Sequence, residues 1–283
     1  SGFVGAALSS RLGVPAALSM RRSDWREGID SCDFRGATVL HLAARVHEPG
    51  ATAADFEADN VVKTRILAEA AAAGGATRFV FASTVKVFGE ESGERAFNES
   101  DKANPSDAYA RSKWRAEEEL RAISARTGLP VVIVRIPLTY GRGAAGNFRA
   151  LVRLADSGWW LPFAGIANRR SLVHLDDLVE AMVIAASHPE APGHTLLVAH
   201  PRPVSTPRLV EAIRSVLGRP GRLFTVPPAL LEAGAAVAGQ RARMQRLTRS
   251  LDVDPSTLTQ EFGWIARMDL DAGLAATLRG IRQ

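Results

Sequence analysis

Tyr109-Ala-Arg-Ser-Lys113 places a phenol and an ammonium four residues apart, in the first turns of a helix predicted over Asp107–Thr127. Residues at that spacing share a helix face, so both groups can point into one cleft. A nearby ammonium stabilises a phenolate and draws the tyrosine pKa toward working pH, which suits Tyr109 to general acid/base work at a carbinol or carbonyl oxygen. A third group strengthens the reading. Phe79-Val-Phe-Ala-Ser83-Thr84 is an apolar strand pattern that runs into hydroxyls at its C-terminal end. Parallel sheets present their reacting groups there, so Thr84 can donate a hydrogen bond to the same oxygen. Each feature alone has a bland reading: a chance pair on a helix, or a hydroxyl satisfying a loop. Their order along the chain favours the chemical one.

A phosphate cradle is suggested near the start. Gly2, Phe3, Val4 and Gly5 head an apolar helical stretch, Phe3–Leu12. They match the second and third glycines of a Gly-x-x-Gly-x-x-Gly turn, in which backbone N–H groups approach a pyrophosphate at a helix N-terminus. The first glycine and first strand of that motif are missing, so the expectation is a chain truncated at its N-terminus. The following strand, predicted over Val14–Met20, ends in Ser19-Met20-Arg21-Arg22. A cofactor without a 2′-phosphate usually meets a carboxylate at this point. Arg21 and Arg22 suit a 2′-phosphate instead, or are solvated surface arginines; NAD and NADP both stay open. Lys113 is also placed to hold a nicotinamide ribose.

These residues need a scaffold. The chain has 283 residues, 46% of them apolar, enough for a main domain and a small lobe. Apolar runs at Ala37–Leu42, Arg78–Ala82, Val131–Arg135 and Thr195–Ala199 alternate with helical patterns at Phe56–Ala73, Asp107–Thr127 and Leu175–Ser187. That order predicts an α/β fold, a Rossmann-type doubly wound parallel sheet with a small C-terminal substrate-binding lobe. Residues 1–141 and 171–200 are assigned to the sheet domain, and 142–170 and 201–283 to the lobe. Glu117, Glu118 and Glu119 are read as the wet side of their helix. The single cysteine, Cys32, rules out an internal disulfide and fits a cytoplasmic protein. No apolar run reaches membrane-spanning length, Ala229–Gly239 being the nearest, and no membrane partner is expected. The net charge of +5 and pI of about 10.0 come from scattered arginines, so no nucleic-acid partner is expected. The high pI alone keeps a non-catalytic nucleotide- or RNA-binding protein as an alternative. No metal site is read.

Taken together the motifs resemble the extended short-chain dehydrogenase/reductase family, in particular its NAD-dependent epimerase/dehydratase group. The matching pieces are Gly2-Phe-Val-Gly5, His41-Leu-Ala-Ala44, Asn60, Ser83-Thr84-Val-Lys-Val-Phe-Gly89, Tyr109-x-x-x-Lys113, Arg135-Ile-Pro137, Asn147-Phe148, Arg169-Arg170-Ser-Leu-Val-His174 and Asp254 to Trp264. The resemblance implies a catalytic set of Thr84, Tyr109 and Lys113. It implies cofactor contacts from Leu42, Ala43 and Ala44, with Asn60 beneath the site and Pro137 beside the nicotinamide. It implies substrate contacts from Ser83, Thr84, Lys86, Asn147 and Arg170, with Arg246 as a further candidate for the diphosphate. Arginine forks suit phosphate oxygens, although Arg169-Arg170 is also readable as a surface pair. Two departures stand out. Only fifteen residues separate Arg22 from Thr38, where the family fits a further strand and helix. The family's glycine after Asn60-Val-x is replaced by Lys63.

The Ser83–Glu90 run and the Asn168-Arg-Arg-Ser-Leu-Val stretch are similar to a bacterial branch labelled UDP-glucose 4-epimerase-like, whose members also resemble 4-keto-sugar reductases. The resemblance therefore implies a nucleotide-sugar substrate, a homodimer, and C4 epimerisation, with NADPH-dependent 4-ketoreduction as the alternative. Dehydration is disfavoured, since Val85 and Lys86 stand where dehydratases carry an acidic pair.

Overall fold

The computed structural model describes residues 2–13, 18–46, 48 and 50–279. The first half of the chain forms α1 (Phe3–Leu12), α2 (Trp25–Asp30), β1 (Thr38–His41), α3 (Ala53–Phe56), α4 (Lys63–Ala73), β2 (Arg78–Thr84), α5 (Ala108–Thr127) and β3 (Val131–Ile136). It continues with β4 (Leu138–Tyr140), α6 (Gly146–Asp156), β5 (Leu172–His174), α7 (Leu175–Ser187) and β6 (Thr195–Leu197). The last elements are α8 (Thr206–Leu217), α9 (Pro228–Val237), α10 (Arg241–Thr248), α11 (Ser256–Gln260) and α12 (Leu270–Leu278).

The main sheet of the described residues is parallel and ordered β1-β2-β3-β6, with Leu40 beside Val80 and Phe81 beside Ile133. Its strands are apolar on both sides because both faces are covered. Alternation sorts the residues. Val80, Val132 and Val134 face a core built with α1, α7 and α11. Phe79, Phe81, Val131 and Ile133 face the opposite core, built with α2, α4 and α5. This is the doubly wound architecture, and it opens its crevice where His41, Thr84 and Ile136 end their strands.

Leu138, Tyr140 and Leu172 on β4 and β5 join a separate core with α6, α8 and α12. Leu258, Phe262 and Trp264, from the stretch assigned above to the lobe, pack instead on the α7 side of the main sheet. Gly141 has φ +151, and a Cβ there would lie 2.6 Å from the Leu175 side chain. The turn from β4 passes that close to the start of α7, which only glycine permits.

Two expectations need correction. In the strand predicted over Val14–Met20, residues 14–17 lie outside the described residues, Leu18 and Ser19 have no regular structure, and Met20 lies in a turn. Met20 is buried against the α4–α5 core, which accounts for its apolar character without a strand. The Glu117–Glu119 run is not uniformly wet: Glu118 is exposed, but Glu117 is 0% exposed.

Candidate active site

The N-cap of α5 is Asp107, whose carboxylate accepts from the Ala110 amide at 2.7 Å. Capping starts the helix two residues before Tyr109 and so fixes where the phenol emerges. At the end of β2, Thr84 is extended, is 6% exposed, and accepts the Lys86 amide at 3.3 Å. Its hydroxyl lies near enough to the Tyr109 phenol to favour the phenolate. Strand end and helix start therefore bring together two of the three groups read from the sequence.

Lys113 lies one turn further along α5, at 1% exposure, with Nζ 3.8 Å from the centre of the Phe81 ring. Burial pushes its pKa down to about 7, while the Glu117 carboxylate acts upward. The expected pull of this ammonium on the phenol is not found. Burial, and secondly the Asp107 carboxylate, push Tyr109 up to about 12, with only the Thr84 hydroxyl acting downward. The ammonium rests against Phe81 at the root of the strand, so its field falls on His41: burial first, then Lys113, lowers that imidazole to about 3. His41 is thus neutral. It meets Thr64 Oγ1 at 2.9 Å, and because that hydroxyl donates to the Asn60 carbonyl at 2.7 Å, His41 donates from Nε2.

Asn60 is fully buried in a π-helical turn, Glu57–Val62, between α3 and α4. Its Oδ1 accepts the Arg45 amide at 2.7 Å, while its Nδ2 donates to the Arg45 carbonyl at 3.0 Å and to Ser112 Oγ at 2.9 Å. Ser112 in turn donates to the Tyr109 carbonyl at 2.8 Å. One amide thus ties the loop of Leu42, Ala43 and Ala44 to α5. π-turns are frequent at functional sites because the extra residue re-aims a side chain. Lys63, in place of the family's glycine, donates to the Met20 carbonyl at 2.8 Å and pairs with Asp59 at 2.7 Å.

Other candidates divide. Gly2 caps α1 in an extended conformation, leaving Phe3, Val4 and Gly5 in a first turn that has no carboxylate and no side-chain cap. Pro137 is buried between β3 and β4 at the crevice. Arg21 is exposed, and Arg22 pairs with Asp24 at 2.8 Å, both largely in solvent. Asn147 is exposed in the first turn of α6. Arg170 donates to the Arg249 carbonyl at 3.2 Å. Burial lowers its pKa, with Glu90 and Arg246 as its charged neighbours. Arg169 is committed to Asp252 at 2.6 Å. Lys86 pairs with Asp107 and, at 2.5 Å, with Glu90, so it bridges the start of α5 to the arginine group.

Ser83 is a correction. Expected to touch substrate, it is 4% exposed and donates to Glu117 Oε1 at 2.5 Å. Arg135 forks onto the same carboxylate at 3.1 and 2.7 Å, and Arg121 adds a bond at 3.0 Å. In a two-faced strand neighbouring residues point apart, so Thr84 reaching the crevice sends Ser83 into the core. Glu117 was missed, although its spacing carried the signal: Tyr109, Lys113 and Glu117 lie four apart on one face. Glu91, Asn168, Glu232 and Arg249, which line a concave pocket beside Arg170, had no such signal.

This arrangement, a doubly wound sheet with a Thr-Tyr-Lys set at its strand ends, is that of a short-chain dehydrogenase. Residues 9–199 match the model of the NAD-dependent epimerase/dehydratase family, and the chain belongs to that family of enzymes. It is 34% identical over 251 residues to the UDP-glucose 4-epimerase of Vibrio cholerae, covering 87% of this chain and 76% of the relative. The fold is similar to that of a Thermotoga maritima UDP-glucose 4-epimerase solved with UDP-glucose, with a TM-score of 0.77 at 19% identity over 99% of this chain and 96% of the other. It is also similar to a short-chain dehydrogenase/reductase superfamily protein from Agrobacterium tumefaciens with bound NAD, with a TM-score of 0.76 at 22% identity over 99% and 95% of the two chains.

Proposed function

We propose that the protein is a nucleotide-sugar C4 epimerase that uses NAD, with Thr84, Tyr109 and Lys113 as its catalytic residues. The observation that carries this is Thr84 at a strand end beside the Tyr109 phenol, one helical turn from a buried lysine, in a chain of this family. The donor set fits a dinucleotide: among the described residues Lys113 has neither a hydrogen bond nor an ion pair, only the Phe81 ring, so its three donors can take ribose hydroxyls. The loop of Leu42 to Ala44, the first turn of α1 and Pro137 form the rest of the proposed cofactor contact. When bound, the nicotinamide would supply a reversible hydride acceptor for the sugar C4.

In the forward half-reaction Tyr109 takes the proton of the C4 hydroxyl while the C4–H bond breaks and a 4-keto sugar forms. In the return half-reaction it gives that proton back to the new C4 oxygen. Thr84 donates to the same oxygen and holds the phenol in line. Arg170, with Arg246 and Asn147, receives the diphosphate, and Lys86 orients this end through Asp107 and Glu90. A homodimer is part of the same reading. Incubation with UDP-galactose or UDP-N-acetylgalactosamine tests it, by chromatography of the sugars. Conversion to the gluco epimer with no net change in cofactor is expected.

The second reading, a 4-ketoreductase, draws its support from Arg21 and Arg22 as a 2′-phosphate site. Arg22 is already held by Asp24, which weakens it. NADPH oxidation only with a 4-keto-6-deoxy sugar, and no conversion of UDP-galactose, would favour the reductase.

A further inference from the structure

Helix α9 is built inside out. Its single charged residue, Glu232, turns inward to accept from Thr248 Oγ1 at 2.7 Å and from Arg249 at 3.0 Å. Its outer side is apolar, with Leu230 64% and Val237 93% exposed. A helix at a water surface normally shows the opposite arrangement.

A second apolar display precedes it. Trp159 and Trp160 are 76% and 63% exposed, and Phe224 is 43% exposed. The two segments are laced together: Leu161 N donates to the Arg222 carbonyl at 3.0 Å, Phe224 N to the Leu161 carbonyl at 3.0 Å, and Ala164 N to the Phe224 carbonyl at 3.1 Å. The paired Leu161 and Leu223 belong to the core, so alternation turns Phe224 outward. Gly165 lies against Thr225 and Val226, and α9 starts two residues later.

The display is held firmly. Arg214 is fully buried and donates to the carbonyls of Ala155, Trp159 and Arg222 at 3.1, 2.6 and 3.1 Å, and to that of Gly221. Arg222 has φ 41 and is the one non-glycine residue with positive φ among the described residues. Strain of this kind persists where the surroundings over-determine it, often at a functional surface.

The charge around these groups is one-sided. Residues 142–170 and 201–250 contain fourteen arginines against three carboxylates, although Arg214 is buried and Arg169, Arg208, Arg246 and Arg249 also pair with Asp252, Asp271, Glu90 and Glu91 from outside those stretches. Two of the three are already paired, Asp156 with Arg219 and Glu232 with Arg249. Arg241 and Arg243, just beyond α9, are exposed.

We propose that this part of the molecule lies peripherally on an anionic phospholipid bilayer, through the outer side of α9 and the Trp159–Trp160 pair, with the surrounding arginines facing lipid phosphates. Indoles settle at the level of the headgroups, and a short apolar helix can lie in that plane without crossing it. No helix of the described residues is long and apolar enough to cross a membrane. A second copy of the chain is a poorer occupant, because a two-fold contact sets an arginine-rich surface against itself. Single-stranded nucleic acid would use the indoles but gain nothing from Leu230 and Val237.

The test is co-sedimentation of the intact protein with vesicles of phosphatidylcholine, with and without phosphatidylglycerol, alongside tryptophan emission. Expected is at least about tenfold tighter binding to the anionic vesicles, weakened by salt, with a blue shift in emission. Trp159→Ser with Trp160→Ser should abolish the emission shift, and Leu230→Gln with Val237→Gln should cut binding about tenfold or more. All four positions are exposed, so the thermal midpoint should not move. Equal binding to both vesicles, no binding, or full binding by both double variants would overturn the proposal. So would an RNA oligonucleotide that binds where vesicles do not, or a dimer that both double variants dissolve.

Discussion

Tyr109 and Lys113 are both held away from their ordinary titration by burial, in directions that hinder the chemistry proposed for them. The phenol is pushed up to about 12 and the ammonium down to about 7. A bound dinucleotide would change both surroundings, giving the lysine acceptors. Tyr109→Phe should leave folding stability unchanged within about 0.5 kcal/mol and lower kcat roughly 10²–10⁴-fold, as loss of a general acid/base does. Lys113→Met should remove turnover while stabilising the protein without cofactor. The folded pKa of Lys113 lies below its unfolded value of 10.5, so the unfolded chain binds more protons between pH about 7 and 10.5. Stability therefore rises with pH across that window, and the burial penalty is complete below it. Denaturation below pH 7 should show Lys113→Met more stable than the parent by about 1–3 kcal/mol, a gap that narrows toward pH 10. A destabilised variant at low pH would show that the ammonium is better accommodated than its surroundings indicate.

At the scale of elements, two buried polar links set the site. Asn60 joins the loop after β1 to α5 through three hydrogen bonds. Asn60→Ala should cost about 2–4 kcal/mol and raise the KM for NAD more than it lowers kcat, since it loosens the proposed cofactor wall and leaves the acid/base group in place. Glu117 joins α5 to β2 and β3. Glu117→Ala would strand Arg135, which already has one buried nitrogen without a partner, at about 3–5 kcal/mol. Glu117→Leu combined with Arg135→Met should recover most of that loss, because an apolar pair of similar volume needs no compensating charge. Chemical denaturation of the single and double variants checks it.

The elements themselves were largely legible: Thr38–His41, Ala108–Thr127 and Leu175–Ser187 fall within a residue or two of their apolar patterns. Thr84 at its strand end lies near Tyr109 at the start of α5, as the order of the two motifs along the chain suggested. Less legible was the direction each neighbour faces. Ser83 and Glu117 are polar residues buried by mutual pairing, and nothing in a one-dimensional pattern announces that a carboxylate has found an arginine on another strand. Of the stretch ending at Met20, the described residues 18–20 form no strand, and the buried Met20 shows that an apolar residue can serve a turn as well as a strand.

Across the whole molecule, the modest net charge conceals a division. Residues 142–170 and 201–283 carry seventeen arginines against eight carboxylates, while the rest of the chain carries eighteen basic residues against twenty-two acidic ones. Scattered along the sequence, those arginines looked unremarkable; folding gathers many of them around the candidate diphosphate end and α9. The proposed cofactor contact likewise draws on α1, the loop after β1, α5 and Pro137. A ligand bound only by the folded state stabilises it by about 2.7 kcal/mol at a hundredfold excess over Kd. NAD should therefore raise the thermal midpoint, and by more than NADP at equal concentration, because Arg22 is occupied by Asp24. A larger shift with NADP would reverse the cofactor preference and favour the reductase.

Under the proposed reaction, hydride leaves and returns to the sugar C4 while Tyr109 takes the proton from the C4 oxygen and gives it back. UDP-galactose deuterated at C4 tests this directly, with the sugar product read by mass spectrometry and NMR. The prediction is UDP-glucose that keeps its deuterium at C4, formed more slowly than from the unlabelled sugar and hardly formed by Tyr109→Phe. Loss of the label to water, or an unimpaired Tyr109→Phe rate, would contradict it.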